Sequence, residues 1–586
     1  MINSSMPFSL LFPEVNSEDK SIIYNVLSET AFHDLGLDVI CKGLSKKENE
    51  QNYIIKVMSR LTADPEMANY RAEIFDDILH NPNLRSSMLE ILDKISFLRD
   101  YGSFKREHEE SASTWELMHR LEEINDYIAC VEALVSCLDE AAITSRGLRE
   151  LKEYVEAIYR DNGFRELKED IQKCKASTTD LKSVTLGINL NERFEAENIG
   201  LVSVNSKKFT KSHALGGFSD LIMSKKGNIN ADTSWDENYK YHQISEEDIA
   251  TSSAIDRFGK FMTAASSPLA MLTLASIPEG DSGSDVTMYL DRIVNHILAI
   301  TMKKLRDTLS KYVNITITNI TNIIPELMYY IRWAEFVEKE TSRGFIFVKP
   351  EVTNGLREMT ARGIYNLKLA YAHKDEAELI VKNDLDFNDD NCVYILTGAN
   401  RGGKTTITQA IGQLFVLAQG GIYIPGEHLS YTPVDNIYTH FPADEDKTMD
   451  LGRLGEECKR FKEIYESATD KSLLLLNETF STTSFEEGYY IAKDSVKAIL
   501  AKGTRTIYNT HMHKLAMDIP ELNRFEMERT RGANCTQAQS LIVCAQDGER
   551  SYRVKVSQPE GMSYAVDIAR KYGVMYDMLV NESKID

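Results

Sequence analysis

The sequence predicts an α/β domain of the P-loop kind, joined to a long, mainly α-helical region that carries a small β-containing module. Three observations predict this fold. Residues 105–180 keep a helical period with few interruptions, residues 183–204 change to strand-like alternation, and the chain from about residue 346 alternates short apolar runs with helical patterns. The last pattern is typical of a largely parallel sheet flanked by helices.

The 586 residues are too many for one hydrophobic core, so we expect several domains. Changes in hydrophobic period give the expected boundaries. The segments are a helical part at 1–104, outgoing helices at 105–182, a β-containing tip with a basic loop at 183–282, returning helices at 283–345 and the α/β domain at 346–586.

The helical segments carry recognisable start and packing signals. Asp64-Pro65 predicts the beginning of a helix, and Asn81-Pro82 predicts its end. In the second segment, apolar residues spaced by three and four form one face: Leu121, Ile124, Ile128 and Val131. A single helix of ~40 residues there would reach on the order of 60 Å, which predicts an arm rather than a globule.

The tip begins with two strand candidates, Ser183–Leu190 and Ile199–Val204. The stretch beyond them is the most basic in the chain, and its lysines include Lys207, Lys208, Lys211, Lys225 and Lys226. Two interpretations stay open from this pattern, a solvated loop and a surface that contacts nucleic-acid phosphates.

Overall charge and cysteine usage exclude other classes of protein. The net charge of −22 argues against a protein that coats nucleic acid uniformly, although a local basic patch on an acidic body is compatible with it. The eight cysteines contain no CxxC pair, so neither a zinc site nor a disulfide framework is predicted. With no basic signal segment and no apolar run long enough to cross a bilayer, we expect a cytoplasmic protein.

Residues 398–405 read GANRGGKT and fit the phosphate-binding pattern GxxxxGK[ST] between an apolar strand and a helix. Glycines let backbone N–H groups approach the phosphates, and the helix N-terminus adds the positive end of a dipole. Lys404 would reach the β- and γ-phosphates and Thr405 would ligate Mg²⁺, which predicts ATP and Mg²⁺ as ligands. The residues predicted to hold the nucleotide are Gly398, Asn400, Gly402, Gly403, Lys404, Thr405 and Thr406.

A second apolar strand, Leu473–Leu476, leads into Asn477-Glu478. Glu478 is placed to orient or deprotonate an attacking water, and Asn477 to face the metal. Asn477 stands where P-loop ATPases usually carry Asp. Either the missing charge weakens Mg²⁺ binding and slows hydrolysis, or Thr405 and the phosphates hold the ion adequately. His511 follows the next strand and is either a γ-phosphate sensor or a structural residue.

Taken in order, these motifs resemble the MutS family of DNA mismatch-repair ATPases. Residues 397–406 (TGANRGGKTT) are similar to its TGPNMGGKST loop, and residues 477–488 follow its DExxxxTSxxxG pattern with Asn in place of Asp. Residues 509–511 (NTH) resemble its ATH, and residues 561–569 resemble its C-terminal GxSxAxxxA helix.

The resemblance implies an ABC-type P-loop ATPase domain with composite ATP sites and C-terminal dimerisation helices, and therefore a homodimer. The upstream helices would form a core and levers, and the tip would form a clamp around duplex or branched DNA. The basic stretch 207–226 would then make salt-dependent contacts that do not read sequence. Repacking of the dimer with ATP would open or close the clamps.

Departures from the family pattern shape the expected function. The chain starts directly with helical core and no nuclease domain follows Asp586, so we expect a shortened form that does not read mismatches. Gly452 stands where the family has a Ser that contacts nucleotide across the dimer, and Arg453 or backbone N–H groups would replace it. Two other functions stay open: a nucleotide-gated scaffold with negligible hydrolysis, and an ATPase that acts on structured RNA or the ribosome.

Overall fold

The protein is represented by a computed structural model that describes residues 9–14, 20–101, 114–178, 183–190, 192, 196–205, 274–276, 307–309, 318–373, 377–398, 402–442, 452–532, 535–546, 549–558, 570, 572–576 and 578–579. The chain divides into two compact units. The first comprises residues 94–133 and 156–317, and the second comprises residues 2–93, 134–155 and 318–586.

The helices of the described residues are α1 (Glu29–Asp34), α2 (Leu37–Leu44), α3 (Glu48–Met58), α4 (Pro65–His80), α5 (Pro82–Tyr101), α6 (Thr114–Glu140), α7 (Arg146–Arg160), α8 (Asn162–Thr178), α9 (Thr318–Ser342), α10 (Leu367–Ala372), α11 (Lys404–Gln419), α12 (Gly452–Ser467), α13 (Phe485–Lys502), α14 (His513–Met517) and α15 (Ile519–Thr530). None of them is long and apolar enough to cross a membrane.

The strands of the same residues are β1 (Asn25–Val26), β2 (Arg60–Leu61), β3 (Ser183–Leu190), β4 (Ala196–Asn205), β5 (Leu274–Ser276), β6 (Phe347–Val348), β7 (Glu351–Val352), β8 (Met359–Ile364), β9 (Asn383–Phe387), β10 (Asn391–Thr397), β11 (Ile424–Pro425), β12 (His428–Tyr431), β13 (Ile437–His440), β14 (Leu473–Asn477), β15 (Arg505–Asn509), β16 (Gln537–Gln546) and β17 (Glu549–Val556).

The first unit contains the β-containing module. Strands β3 and β4 pair antiparallel from Ser183↔Asn205 to Leu190↔Ala196, and β5 joins the other edge of β4. The two strands predicted from alternation are therefore present. In the helical part of the same unit, the ring of Tyr127 on α6 packs edge-on against that of Phe164 on α8, with centroids 6.1 Å apart.

The prediction of one helix of about 40 residues after residue 105 is wrong, because the segment forms three helices, α6, α7 and α8. At each interruption between these helices, an aspartate side chain binds the backbone near the start of the next helix. The Asp77 carboxylate accepts hydrogen bonds from the backbone N–H groups of Thr144 and Ser145, just before α7 begins. Asp161 accepts from the backbone N–H of Gly163 at the start of α8. Side-chain acceptors at helix N-termini replace the helical bonds that the first N–H groups lack.

The second unit is built around a six-stranded sheet with the order β13-β14-β15-β10-β16-β17. All neighbouring pairs from β13 to β16 are parallel, and β17 is antiparallel to β16. The predicted α/β domain with a largely parallel sheet is thus confirmed. Parallel strands that are buried on both faces read as continuous apolar runs, which is why Leu473–Leu476 was recognisable from sequence.

Helix α11 follows β10 and is buried along most of its length. Its amide side chains anchor it to the N-terminal helices: Gln409 Nε2 donates to the Asp34 carbonyl, and Gln413 Nε2 donates to the Leu35 carbonyl. Gly412 allows the close approach, since a Cβ there would lie 2.4 Å from Leu35 Cδ2. The residues that follow β10 are therefore attached to a helix that is fixed in the core.

The N-terminal part of the second unit confirms the predicted start and end of α4. Asp64 accepts from the Met67 backbone N–H, Pro65 occupies the first turn and the helix ends at His80. Buried Arg71 on this helix donates to the backbone carbonyls of Leu11 and Gln419, which ties the N-terminal segment to the end of α11. The lever and clamp assignments for residues 105–345 stay predictions.

Candidate functional site

The described residues of the loop after β10 include two glycines in backbone conformations that favour glycine. Gly398 (φ 142°) and Gly403 (φ 93°) both lie at positive φ, where residues with a side chain are strained. A Cβ at Gly398 would lie 2.9 Å from Val543 Cβ, so the loop is closely packed against the neighbouring strand. Gly403 is the N-cap of α11 and leads directly into Lys404. Asn400, predicted in the same set, lies outside the described residues.

Lys404 is buried at the beginning of α11, and its Nζ donates to the Gly398 carbonyl across the loop at 3.1 Å. Burial lowers the pKa of its ammonium group, while the charge of Glu478 acts in the opposite direction. A partly desolvated cation at a helix N-terminus is suited to bind phosphate oxygens. The backbone of Thr406 is fixed by Asn366, whose Nδ2 donates a hydrogen bond to the Thr406 carbonyl at 2.9 Å.

The ends of β14 and β15 bring two carboxamides to this loop. Thr405 Oγ1 donates to Asn477 Oδ1 at 3.1 Å, and Asn509 Nδ2 donates to the same oxygen. Thr405 and Asn477, which are both predicted to face the metal, are therefore adjacent, and their role toward a metal stays a prediction. Asn509 was not recognised as a site residue from sequence, although its place two residues before His511 at a strand end was visible.

A magnesium ion would meet a neutral set of protein oxygens here. Thr405 and Asn477 offer one hydroxyl and one amide oxygen, and the buried Oδ1 of Asn509 has no hydrogen-bond partner. In the part of the chain that the structure describes, no cluster of three or more His, Cys, Asp or Glu could hold a metal. Mg²⁺ is usually bound through few protein ligands together with waters and phosphates. The residues fit an ion that arrives with a nucleotide.

His511 connects Glu478, the predicted base, to Lys404, the lysine predicted to bind phosphate. Its Nε2 lies 2.9 Å from Glu478 Oε1, and Lys404 Nζ donates to its Nδ1 at 3.4 Å. An ammonium group can only donate, so Nδ1 is the acceptor and Nε2 carries the proton that Glu478 accepts. The His511 side chain is 48% exposed and that of Glu478 is 18% exposed. The three residues predicted to act on the γ-phosphate and the water are thus adjacent.

Glu478 begins a strained turn, residues 478–482, which we call the 478–482 turn. Glu478 (φ 55°) and Phe480 (φ 62°) both adopt the left-handed conformation, which costs of order 1–3 kcal/mol for each such residue. Gly488 on α13 makes room for the turn, because a Cβ there would lie 2.5 Å from the Phe480 carbonyl oxygen. Such strain persists only where surrounding contacts hold it in place.

Two parts of the predicted interaction surfaces lie outside the described residues. The lysines Lys207, Lys208, Lys211, Lys225 and Lys226 belong to the segment 206–273, and the motif at 561–569 lies in the segment 559–569. Gly452 is described and begins α12 at φ 71°, with nothing within 4 Å of a Cβ built on it. The contacts predicted for these residues stay predictions.

Comparison with known proteins gives two matches to family models. The family model described as "MutS domain V" matches residues 394–576, which contain the predicted phosphate loop and the ends of β14 and β15. The description "MutS2 N-terminal domain" matches residues 63–339, which contain most of the helical region and the β-containing module. The chain belongs to the MutS family. The resemblance predicted from the motifs is therefore confirmed, and domain V supplies an ABC-type P-loop fold.

Curated relatives match over parts of this MutS-family chain. Endonuclease MutS2 of Caldicellulosiruptor bescii is 33% identical over 169 residues, which is 29% of this chain and 22% of that protein. DNA mismatch repair protein MutS 2 of Halobacterium salinarum is 32% identical over 196 residues, 33% and 23% of the two chains. DNA mismatch repair protein MutS of Chlorobium chlorochromatii is 28% identical over 247 residues, 42% and 27%. The matches span about a quarter of each relative's length.

Proposed function

We propose that this protein is an ATP-dependent DNA-binding clamp of the MutS type that binds ATP and hydrolyses it slowly. The observation that carries the ATPase part is the convergence of three strand ends at one edge of the sheet. The loop after β10 presents Lys404, the end of β14 presents Asn477 and Glu478, and the end of β15 presents His511. Ligands of parallel α/β sheets bind at this edge.

The residues would act on ATP as follows. Lys404 exchanges the Gly398 carbonyl and His511 for phosphate oxygens, which are stronger partners for a cation. That exchange frees Nδ1 of His511, while its Nε2–H continues to face Glu478. The Glu478 carboxylate then orients the attacking water and takes its proton. His511 reports whether a γ-phosphate is present, because both Lys404 and Glu478 contact its ring.

Mg²⁺ would be held by Thr405 and Asn477 and would neutralise charge on the phosphates. Neither residue brings a negative charge, and Asn477 Oδ1 already accepts from Thr405 and Asn509. Weaker ion binding than with a carboxylate at this position supports the slow rate that we propose. The expected weak ion binding follows from the two neutral oxygen donors, Thr405 and Asn477.

The test of nucleotide binding is calorimetry with ATP on Lys404→Ala. We expect wild-type protein to bind ATP and the variant to lose measurable binding, because the buried cation that faces the phosphates is removed. Lys382→Ala is the matched control, since Lys382 pairs with Glu427 on a different sheet and is solvent-exposed. Unchanged ATP affinity in Lys404→Ala would contradict the assignment of the site.

A second candidate function is a nucleotide-gated scaffold with negligible turnover. The neutral Asn477 is the observation that favours it, because the metal-facing position of the site carries an amide instead of a carboxylate. Steady-state ATPase assays of wild type, Glu478→Gln and Asn477→Asp separate the two. A wild-type rate equal to that of Glu478→Gln, with ATP binding intact, would favour the scaffold.

DNA as the partner and a homodimer as the assembly are proposed from the family and from the basic stretch 207–226. Replacing Lys207, Lys208 and Lys211 by Glu should weaken binding to duplex and branched DNA and flatten its salt dependence. Gel shifts with duplex DNA, branched DNA and structured RNA, with and without ATP, identify the preferred nucleic acid. Binding that is stronger to structured RNA than to either DNA would move the proposal to an RNA or ribosomal target.

A further inference from the structure

A buried histidine outside the predicted site, His440, forms a hydrogen bond with the 478–482 turn. His440 ends β13 and is 3% exposed. Its Nδ1 accepts from the hydroxyl of Thr479 at 3.1 Å, and its Nε2 donates to the Glu457 carbonyl on α12 at 3.3 Å. A carbonyl can only accept, so Nε2 carries a proton, and in the neutral ring Nδ1 is the acceptor for the Thr479 hydroxyl, so both nitrogens are satisfied. Burial, together with the nearby charge of Arg460, lowers the pKa of His440 to about 4.

Helix α12 holds the same turn through a side chain as well. The Glu457 carboxylate accepts a hydrogen bond from the hydroxyl of Thr482 at 3.1 Å. Phe461 on α12 packs edge-on against the Phe480 ring, with centroids 5.4 Å apart. The strained residue Phe480 is thus fixed by a helix on one side and by His440 on the other, with ring centroids 6.4 Å apart.

We propose that His440, with Thr479 and Glu457, positions Glu478: this lock attaches the 478–482 turn to α12 and thereby sets where the Glu478 carboxylate stands against His511. The inference rests on the role proposed above for Glu478. Thr479 is the residue next to Glu478, and both lie in a turn whose left-handed backbone is not stable by itself. Thr479 joins the lock to Glu478 directly through the backbone, so the proposed lock acts through Glu478.

The experiment compares two variants of Thr479. Thr479→Val keeps the shape of the side chain and removes the hydroxyl, whereas Thr479→Ser keeps the hydroxyl. We expect Thr479→Val to lower kcat for ATP by roughly tenfold or more while the ATP Kd stays within about twofold, because a small displacement of the base affects chemistry and not phosphate binding. Thr479→Ser should restore most of the rate. A purely structural role predicts that kcat falls while Kd rises, because chemistry and ATP binding are both impaired, or that both variants behave alike, and either result would overturn the lock.

An NMR measurement that does not depend on ATP hydrolysis accompanies the kinetic comparison of the Thr479 variants. In protein labelled with ¹⁵N-histidine, the His440 ring should show the neutral Nε2–H form from pH 5 to 8, and the His511 ring should shift in Thr479→Val but not in Thr479→Ser. Signals are assigned by their loss in His440→Asn and His511→Asn. An unshifted His511 signal in Thr479→Val would overturn the proposal even if the wild type proves inactive as an ATPase, which would contradict only the proposed function.

Glu457→Gln provides a second variant in case Thr479→Val does not fold. It keeps the backbone carbonyl that His440 uses and weakens the side-chain acceptor for the Thr482 hydroxyl by removing its charge. The same loss of kcat at constant Kd, with the same shift of the His511 signal, is expected. A Glu457→Gln protein with unchanged kcat and an unshifted His511 signal would count against the lock.

Discussion

The 478–482 turn lies between the end of β13 and the end of β15, which we call its two flanks, and the histidines on these flanks differ in burial and in partners. On the β13 flank, His440 is buried, neutral and satisfied by Thr479 and Glu457. On the β15 flank, His511 is half exposed and lies between a cation, Lys404, and a carboxylate, Glu478. One imidazole therefore has partners that keep it in place, and the other has partners that a nucleotide would displace in the function proposed above.

This difference explains how a strained turn can carry a reactive group. The β13 flank offsets the cost of the left-handed residues with buried hydrogen bonds, each worth about 0.5–1.5 kcal/mol net. The β15 flank contributes one backbone bond, from the Glu478 N–H to the Asn509 carbonyl at 2.9 Å, and otherwise faces solvent and charge. Rigidity and chemistry are thus separated on two sides of one turn.

The largest effect is expected on the β15 flank. Glu478→Gln removes the carboxylate and keeps the size of the side chain, so kcat for ATP should fall by roughly 10²–10⁴-fold, the usual contribution of a general base. ATP affinity should change little, because Lys404 and the loop glycines remain. Steady-state hydrolysis and calorimetry check this. A variant that retains the wild-type rate would show that the two flanks do not differ in chemistry.

The next effect belongs to the β13 flank and depends on pH. The pKa of His440 is lowered to about 4 in the folded protein, below the ordinary value of 6.5, so the unfolded chain binds more protons between these values. His440 therefore supports folding fully above pH 6.5 and loses that support as the pH falls toward 4. The loss amounts to on the order of 3 kcal/mol.

Unfolding of wild type and His440→Gln, followed between pH 4 and 8, measures this support. The difference in unfolding free energy should be largest at high pH and smallest near pH 4. The charge of Arg460, which pairs with Asp34, acts on the ring, and both proteins carry these residues and Glu457, so the difference between the two proteins reports the imidazole. A difference that does not change with pH would mean that His440 is not held neutral. His511→Asn serves as the comparison from the other flank.

The smallest effect tests the metal-facing amide. Asn477→Asp adds a carboxylate beside Thr405, and the Mg²⁺ concentration needed for half-maximal ATP binding should fall by about tenfold, since Mg²⁺ sites normally use one or two carboxylates. Asn388→Asp is the control, because it adds the same charge in an exposed turn. Its Oδ1 can still accept hydrogen bonds from the backbone N–H groups of Asp390 and Asn391. Equal Mg²⁺ dependence in all three proteins would show that phosphates alone hold the ion.

Local patterns predicted much of the fold and part of the site. The phosphate loop, the apolar strand before Asn477 and the strands β3 and β4 follow from short-range rules of spacing and period. One of the two breaks in the predicted long helix lies where Asp77, which is more than 60 residues away, binds the backbone at Thr144 and Ser145. A contact of that range leaves no period in the sequence of the helix itself.

The sequence by itself determined the chemistry available: a lysine and a threonine after a glycine loop, a glutamate after an apolar strand and a histidine after the next. Only the tertiary structure decided their partners. The strand order places β15 between β10 and β14, which puts Asn509 against Asn477 and His511 between Lys404 and Glu478. It also brings His440 to Thr479. Strand order is settled by packing of the whole sheet, and residues far apart in the chain meet only once that packing is complete.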